Sequence, residues 1–240
     1  MIFRFNRKYK IWNLTVFLLL GPTPCFSQVR ILKPEILPLP DLDLERLEKI
    51  VYLRESELSE QDKELCERAE EEMAHFYSPA CSWYCAGKID TVKASSFLSE
   101  RYIGQNAHDF STVNAWVEGV PGSGIGEYLE YTFPASCPRI THVLILNGYI
   151  KNKTVWRNNA RVKQLLMYYN GEPYAILELD DTRDVQKFDV GLLGFYRPGA
   201  KDQSGEPDWT IRFEILEVYP GDKYEDTAIT EIYFDGIDDH

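Results

Sequence analysis

From Lys88 onward the hydrophobic period of this chain is two, and that pattern restricts its possible folds more than any other feature. "EYLEYTF" alternates, and in "DWTIRFEILEVYPGD" Ile211, Phe213 and Ile215 alternate with Thr210, Arg212 and Glu214. "THVLILNGY" and "VKQLLMYYNGEPYAILELDD" hold strand-like runs broken by Asn-Gly turns, and "TAITEIYFDG" supplies a last strand. Short strands and frequent turns over about 150 residues, with no convincing helix among them, predict a β-sandwich or barrel. With 44% hydrophobic and 13% aromatic residues the chain can fill the core of such a fold.

The residues ahead of this region differ in character. Arg4, Arg7, Lys8 and Lys10 precede the apolar run "IWNLTVFLLLG", and small residues follow, the layout of a secretory signal spanning residues 1–27. The apolar run falls short of the ~20 residues of a spanning helix. Pro24 ahead of Cys25 argues against lipid modification of that cysteine. Residues 28–40, with three prolines after Ile31, read as an extended lead-in. Residues 41–87 read as a helical segment: Leu44, Leu47 and Val51 repeat at helical spacing, Ser59 and Asp62 offer a cap, and Leu65, Ala69, Met73 and Phe76 repeat again. Two short amphipathic helices are expected there, with "ERAEEEM" as a solvated face.

Charge excludes several functions. Cleavage after Ser27 removes four basic groups and no acidic ones, taking the formal charge from −12 to −16. Such a surface repels nucleic-acid phosphates and anionic membranes, so neither nucleic acid nor membrane insertion is expected. Cys66, Cys81, Cys85 and Cys137 remain in an exported chain and predict structural disulfides, with three pairings open. The spacing of "CSWYC" is wider than a redox CxxC, and the four histidines are too scattered to complete a zinc site.

In "AWVEGVPGSGIGEYLEYTF", Gly122, Gly124 and Gly126 lead into a strand. A phosphate loop needs a helix there, so these glycines predict a turn at the sandwich edge. Glu118 and Glu127 flank the loop and are weighed as a glycosidase pair, against chance in so acidic a chain. Ser96, Ser123 and Ser204 lack the context of a nucleophile.

The order of "KASSFLSE", "NAHDFSTVNAWVEGVPGSGIGEYLEY", "ITHVLILNGYIKNKTVWRNNARVKQLLMYYNG" and "IRFEILEVYPGDKYEDTAITEIYFDG" resembles the galactose-binding-like jelly roll related to discoidin, or F5/8 type C, domains. More narrowly, it resembles the glycan-binding domain that accompanies a secreted bacterial NAD glycohydrolase and is associated with that toxin's translocation. The resemblance implies a mainly β jelly-roll sandwich over residues 88–240, preceded by a helical segment that, with "CSWYC", lies outside the core. It implies binding rather than catalysis, since neither "IDDH" after Gly236 nor the 60 residues from Gln28 to Gly87 could form an NAD-cleaving fold. It also implies a structural calcium: Asp109 stands seven residues before Trp116 and Glu231 lies on the last strand. Phe110 replaces the glycine of that turn and Asn114 the usual threonine. The alternative is that Asp109 only caps a turn.

The expected partner is a glycan or glycoconjugate, bound at a cell surface or in a secreted or periplasmic setting. Trp156, Asn158 and Asn159, read as an exposed polar turn between strands, are the leading ligand residues, because sugar sites combine an aromatic plate with amides. Arg161 either joins them or pairs inside the fold. Trp116 and Glu118 beside the glycine loop form the secondary candidate, with core packing the alternative for Trp116. Two other functions compete: a sandwich that grips a protein through its aromatic loops, and an unrecognised glycoside hydrolase.

Overall fold

The structure is a computed structural model that describes residues 29–195 and 205–237, with the side chains at 72–82 and 85 outside the description. The leader assigned to residues 1–27 lies outside the described residues.

The proline-bearing lead-in does more than extend. It forms two three-residue strands, β1 (Arg30–Leu32) and β2 (Glu35–Leu37). The nine further strands are β3 (Thr91–Ala94), β4 (Trp116–Val117), β5 (Tyr128–Phe133), β6 (Ile140–Asn147), β7 (Ala160–Tyr169), β8 (Glu172–Glu178), β9 (Val185–Leu193), β10 (Trp209–Tyr219) and β11 (Thr227–Gly236). One layer runs β2-β9-β6-β11, with β4 added to β11; the other runs β7-β10-β5-β3 on one side and β7-β8-β1 on the other. The two layers join where the start of β11 pairs in parallel with the start of β7, Thr227 opposite Ala160. The result is a jelly-roll sandwich.

The period-two strands turn their apolar faces inward. Val143 and Ile145 of β6, Phe188 and Val190 of β9, and Ile232 and Phe234 of β11 meet Leu165 and Met167 of β7, Ile211, Phe213 and Ile215 of β10, and Tyr131 and Phe133 of β5 in one core. The Asn170-Gly171 pair turns β7 into β8 with φ of 52° and 82°, as an Asn-Gly hairpin requires. Asn147-Gly148 makes no hairpin: Asn147 is buried and bonds Val162 of β7 through both ends of its amide, leaving the chain to enter a helix.

β6 breaks the simple alternation, since Val143 through Ile150 are all buried. Its outward residues Leu144 and Leu146, with Val185 of β9, form a second cluster with Leu42, Leu44 and Ile150. The cover is α1 (Leu44–Ile50), capped by Asp43, whose side chain accepts from the Arg46 amide. A second helix, α2 (Glu60–Ala86), starts at the expected Ser59–Asp62 capping box. Arg46 ties the helices together by a two-pronged ion pair to Asp62, both contacts 2.7 Å. That guanidinium, with the Ser59 hydroxyl, holds the Asp62 carboxyl well below the ordinary carboxylate range. None of the helices among the described residues is long and apolar enough to cross a membrane.

α2 corrects two expectations. It is one 27-residue helix that continues through "CSWYC", and its end belongs to the core. Trp83 is fully buried, donates its indole N–H to the Pro138 carbonyl at 3.3 Å, and packs edge-on to Phe133. Gly87 follows because a Cβ there would lie 2.6 Å from the Trp83 ring. Trp83→Ala should therefore cost about 3–5 kcal/mol, read as a lower urea midpoint. A loss below about 1 kcal/mol would place the helix end outside the cooperative core.

The expectation of four paired cysteines also fails, for Cys66 and Cys137, which are free. Cys137 lies in the core cluster that holds Trp83, whereas Cys66 sits 17 residues before Trp83 on the same helix. That separation is roughly 25 Å, against the ~7 Å that a disulfide can span between Cα atoms. Burial pushes the Cys137 thiol up to about 11. The side chains of Cys81 and Cys85 lie outside the described residues. A thiol reagent should accordingly find at least two reactive groups in the unfolded, unreduced protein. In the native protein Cys137 should react far more slowly than Cys66.

Candidate functional site

Two regions gather chemistry-bearing side chains. The first lies where a short 3-10 turn, Gly104–His108, hands over to a loop beside β11. Phe110 has φ of 62°, so the turn keeps the left-handed backbone that a glycine would adopt, despite the bulky residue. Its ring is held among Tyr84, His108 and Tyr233, with centroids 5.0, 5.4 and 5.5 Å away.

That backbone directs amides at Glu231. Its Oε1 accepts from the N–H groups of Asp109 (3.2 Å) and Ser111 (3.0 Å), while Ser111 N–H also reaches Asp109 Oδ1 at 2.9 Å. Asn114 donates its amide to Asp109 Oδ2 at 2.8 Å. The three residues expected to hold a metal are thus brought together. Glu231 is fully buried, and its Oε2 has no partner. Burial pushes its carboxyl well above the ordinary range, and the neighbouring Asp109 carboxyl adds to the shift. A buried carboxylate oxygen against a second carboxylate demands a proton or a cation. The donors here are hard oxygens: the two carboxyls and the Asn114 side-chain carbonyl. This chemistry suits calcium. Among the described residues no three His, Cys, Asp or Glu side chains gather around one point, so carbonyl donors would have to complete any such site.

The second region surrounds Trp156, Asn158 and Asn159. In place of an exposed turn the chain forms a short helix, α3 (Lys153–Asn158), because the Asn152 side chain caps it by accepting from Val155 N–H at 2.9 Å. Helical geometry then separates Trp156 from Asn158 and Asn159. Trp156 is half-buried, packs against the Leu144 and Leu146 cluster, and gives its indole N–H to the Asn147 carbonyl at 3.0 Å. The Arg161 guanidinium lies 4.7 Å from its ring centre. This corrects the expectation of an exposed Trp156 plate. Arg161 is itself committed to the fold: two nitrogens grip Asp181 at 2.9 and 2.8 Å, and the third donates to the carbonyls of Asn159 and Pro220.

Asn158 and Asn159 face another cavity of about 340 Å³, which sequence reasoning missed. Its aromatic walls are Tyr102, Tyr149 and Tyr224, contributed by the segment before β4, the loop after β6 and the loop before β11. Tyr102 stands edge-on to Tyr149 at 6.2 Å, and Tyr149 is fixed by a bond to the Val113 carbonyl at 2.9 Å. Tyr224 is 43% exposed, and its backbone N–H is held by the Asn158 carbonyl at 2.8 Å. Arg101, Lys151 and Asp226 supply charged groups at the cavity. Asn159 bonds Val155 through its amide, whereas among the described residues no partner engages the Asn158 amide. These tyrosines come from three loops far apart in sequence, and no periodicity links them.

The glycine loop offers less to a ligand. Trp116 is fully buried and donates to the Ser96 carbonyl at 2.8 Å. Glu118 is also fully buried; its oxygens accept from Val120 and Thr227 N–H groups, and burial pushes its carboxyl upward. Gly124, at φ 66°, covers Glu118 so closely that a Cβ would collide with it. The other carboxylate of the imagined hydrolytic pair, Glu127, is engaged by Ser95 and Ser96 hydroxyls.

No curated protein matches the sequence. Among solved structures, the chain is similar to the CBM32-1 and CBM32-2 domains of Clostridium perfringens ZmpB, with TM-score 0.45, 11% identity, and coverage of 62% of this chain and 34% of that one. It is similar to CpGH89CBM32-5 from Clostridium perfringens, solved with GalNAc-β-1,3-galactose, at TM-score 0.41 and 10% identity, covering 61% and 94% of the two chains. A chitosan-binding module 1 from a Paenibacillus sp. IK-5 chitosanase/glucanase gives TM-score 0.37 and 11% identity, covering 63% and 97%. The match thus spans about a third of the ZmpB chain's length. A family profile described as the NAD glycohydrolase translocation F5/8 type C domain matches residues 83–235, beginning at the buried Trp83 and ending on β11. With more than half of its length matched, the chain belongs to the NAD glycohydrolase translocation F5/8 type C domain family.

Proposed function

We propose that this chain is an exported, non-catalytic glycan-binding module that serves the delivery of a secreted NAD glycohydrolase, and that the cavity between α3 and the Tyr224 loop is its sugar site. The observation that carries this reading is the make-up of that cavity. Three tyrosine rings meet an uncommitted Asn158 amide and charged groups at Arg101, Lys151 and Asp226, in about 340 Å³. Sugar recognition uses this combination, with aromatic faces against the C–H side of the ring and fixed polar groups for its hydroxyls. Asn158 can both donate and accept. Trp156 and Arg161 act behind the site, holding α3 in place, while Trp116 and Glu118 hold the glycine loop.

A glycan array on the mature protein, followed by titration with the best ligand, tests the assignment. Tyr224→Ala and Asn158→Ala should each weaken binding about tenfold or more with little change in melting temperature, since neither side chain is in the core. Full binding by both variants would overturn the site.

Calcium is the second part of the proposal. Glu231, Asp109 and Asn114 would hold it, and its charge would neutralise the buried carboxyl pair and bind the last strand to the loop after the 3-10 turn. A ligand taken only by the native state stabilises it by mass action, about 2.7 kcal/mol at one hundred times its dissociation constant. Millimolar calcium should therefore raise the melting temperature of the wild type by several degrees over chelator, and Asp109→Ala or Glu231→Gln should abolish the rise. Identical wild-type melting in both conditions would remove calcium from the account.

A further inference from the structure

α1 lies outside residues 83–235, the span matched by the family profile, yet it reaches the cluster around Glu231. Glu48 on this helix accepts from the Ser111 hydroxyl at 3.0 Å. Ser111 is buried, and its backbone N–H is the donor shared between Asp109 Oδ1 and Glu231 Oε1. One serine thus connects the helix to both carboxyls. Glu231 Oε2, buried and unpartnered, leaves the cluster one polar contact short.

The rest of α1 is fixed at separate points. Leu44 and Ile50 are buried, with Leu44 packed against the outer face of β6, and Glu45 pairs with Lys151 at 2.8 Å and accepts from the Asn152 amide at 3.0 Å. Glu48 is therefore presented to Ser111 by a helix already held at both ends.

We propose that α1 is a latch on the cation loop, with Glu48 as a positioning residue that acts through Ser111. This inference rests on the calcium reading given above. Glu48 fixes the Ser111 side chain, which keeps the Ser111 amide aimed at both carboxyls. The loop is then held in its binding geometry before the cation arrives, and the ordering cost falls on folding rather than on binding. Coupling of this kind is reciprocal, so a bound cation must in turn tighten the docking of α1.

Calcium titration by calorimetry on the mature protein tests the latch, together with hydrogen exchange at residues 44–50 in calcium and in chelator. In the wild type, calcium should raise exchange protection of the α1 amides about tenfold. Glu48→Ala should weaken calcium binding about tenfold and erase the gain in protection, while melting in chelator stays near the wild type. Glu48→Gln, whose amide oxygen still accepts from Ser111, should keep its affinity within about threefold of wild type, because the positioning bond survives. Ser111→Ala cuts the same link from the other side and should reproduce the Glu48→Ala loss, which covers the case in which Glu48→Ala folds poorly. Wild-type affinity in Glu48→Ala or Ser111→Ala, or α1 protection indifferent to calcium, would overturn the latch and leave the calcium reading standing. A Glu48→Gln variant as weak as Glu48→Ala would overturn the route through Ser111. A wild type that takes up no calcium would overturn both readings.

Discussion

The two-sided burial of β6 is the constraint on which the rest of the architecture depends. Its inner residues Val143 and Ile145 complete the sandwich core, and its outer residues Leu144 and Leu146 would face water without a cover. At about 1.5–3 kcal/mol per buried side chain of this size, leaving that face wet would cost a substantial part of a small domain's stability. The lead-in and α1 supply the cover. The N-terminal segment is therefore a third layer rather than an appendage, and α1 reaches Ser111 because it must lie on β6.

β11 makes the opposite connection. It pairs with β6 over most of its length and with β7 at its start, so it is the strand that joins the two layers. It also carries Glu231, which alternation places on the face opposite Ile232 and Phe234 and which is nevertheless fully buried. A fully buried carboxyl on the joining strand is expensive unless something compensates its charge. The amides of Asp109 and Ser111 satisfy one oxygen only. A proton or a cation would supply the compensation, and the left-handed turn at Phe110 aims the neighbouring amides at Glu231 and keeps Asp109 beside it.

The α3 helix decides which side chains line the tyrosine cavity. Because Asn152 caps it, six residues that read as a turn wind into helix, and residues two apart no longer share a face. Trp156 goes to the cluster under α1 and Arg161, while Asn158 goes to the cavity of tyrosines. An amide and an aromatic ring do meet, but the ring is Tyr224, whose backbone is anchored to Asn158 itself.

Sequence alone determined what depends on local period and local chemistry. Alternation in "EYLEYTF" and "DWTIRFEILEVY" gave β5 and β10, Asn170-Gly171 gave the β7–β8 hairpin, and Ser59 with Asp62 gave the start of α2. The order of motifs carried the resemblance to the family, and that resemblance implied the turn of Asp109 beside Glu231. The tertiary structure decided whatever depends on which surfaces meet. The helical segment reads as two short amphipathic helices, yet α2 continues through "CSWYC" because Trp83 and Tyr84 pack against the core. An even number of cysteines suggests pairing, but the length of α2 keeps Cys66 away from Cys137. The tyrosine cavity and the Glu48–Ser111 contact join residues from distant parts of the chain, and side chains that meet only across packed layers leave no period or spacing in the sequence.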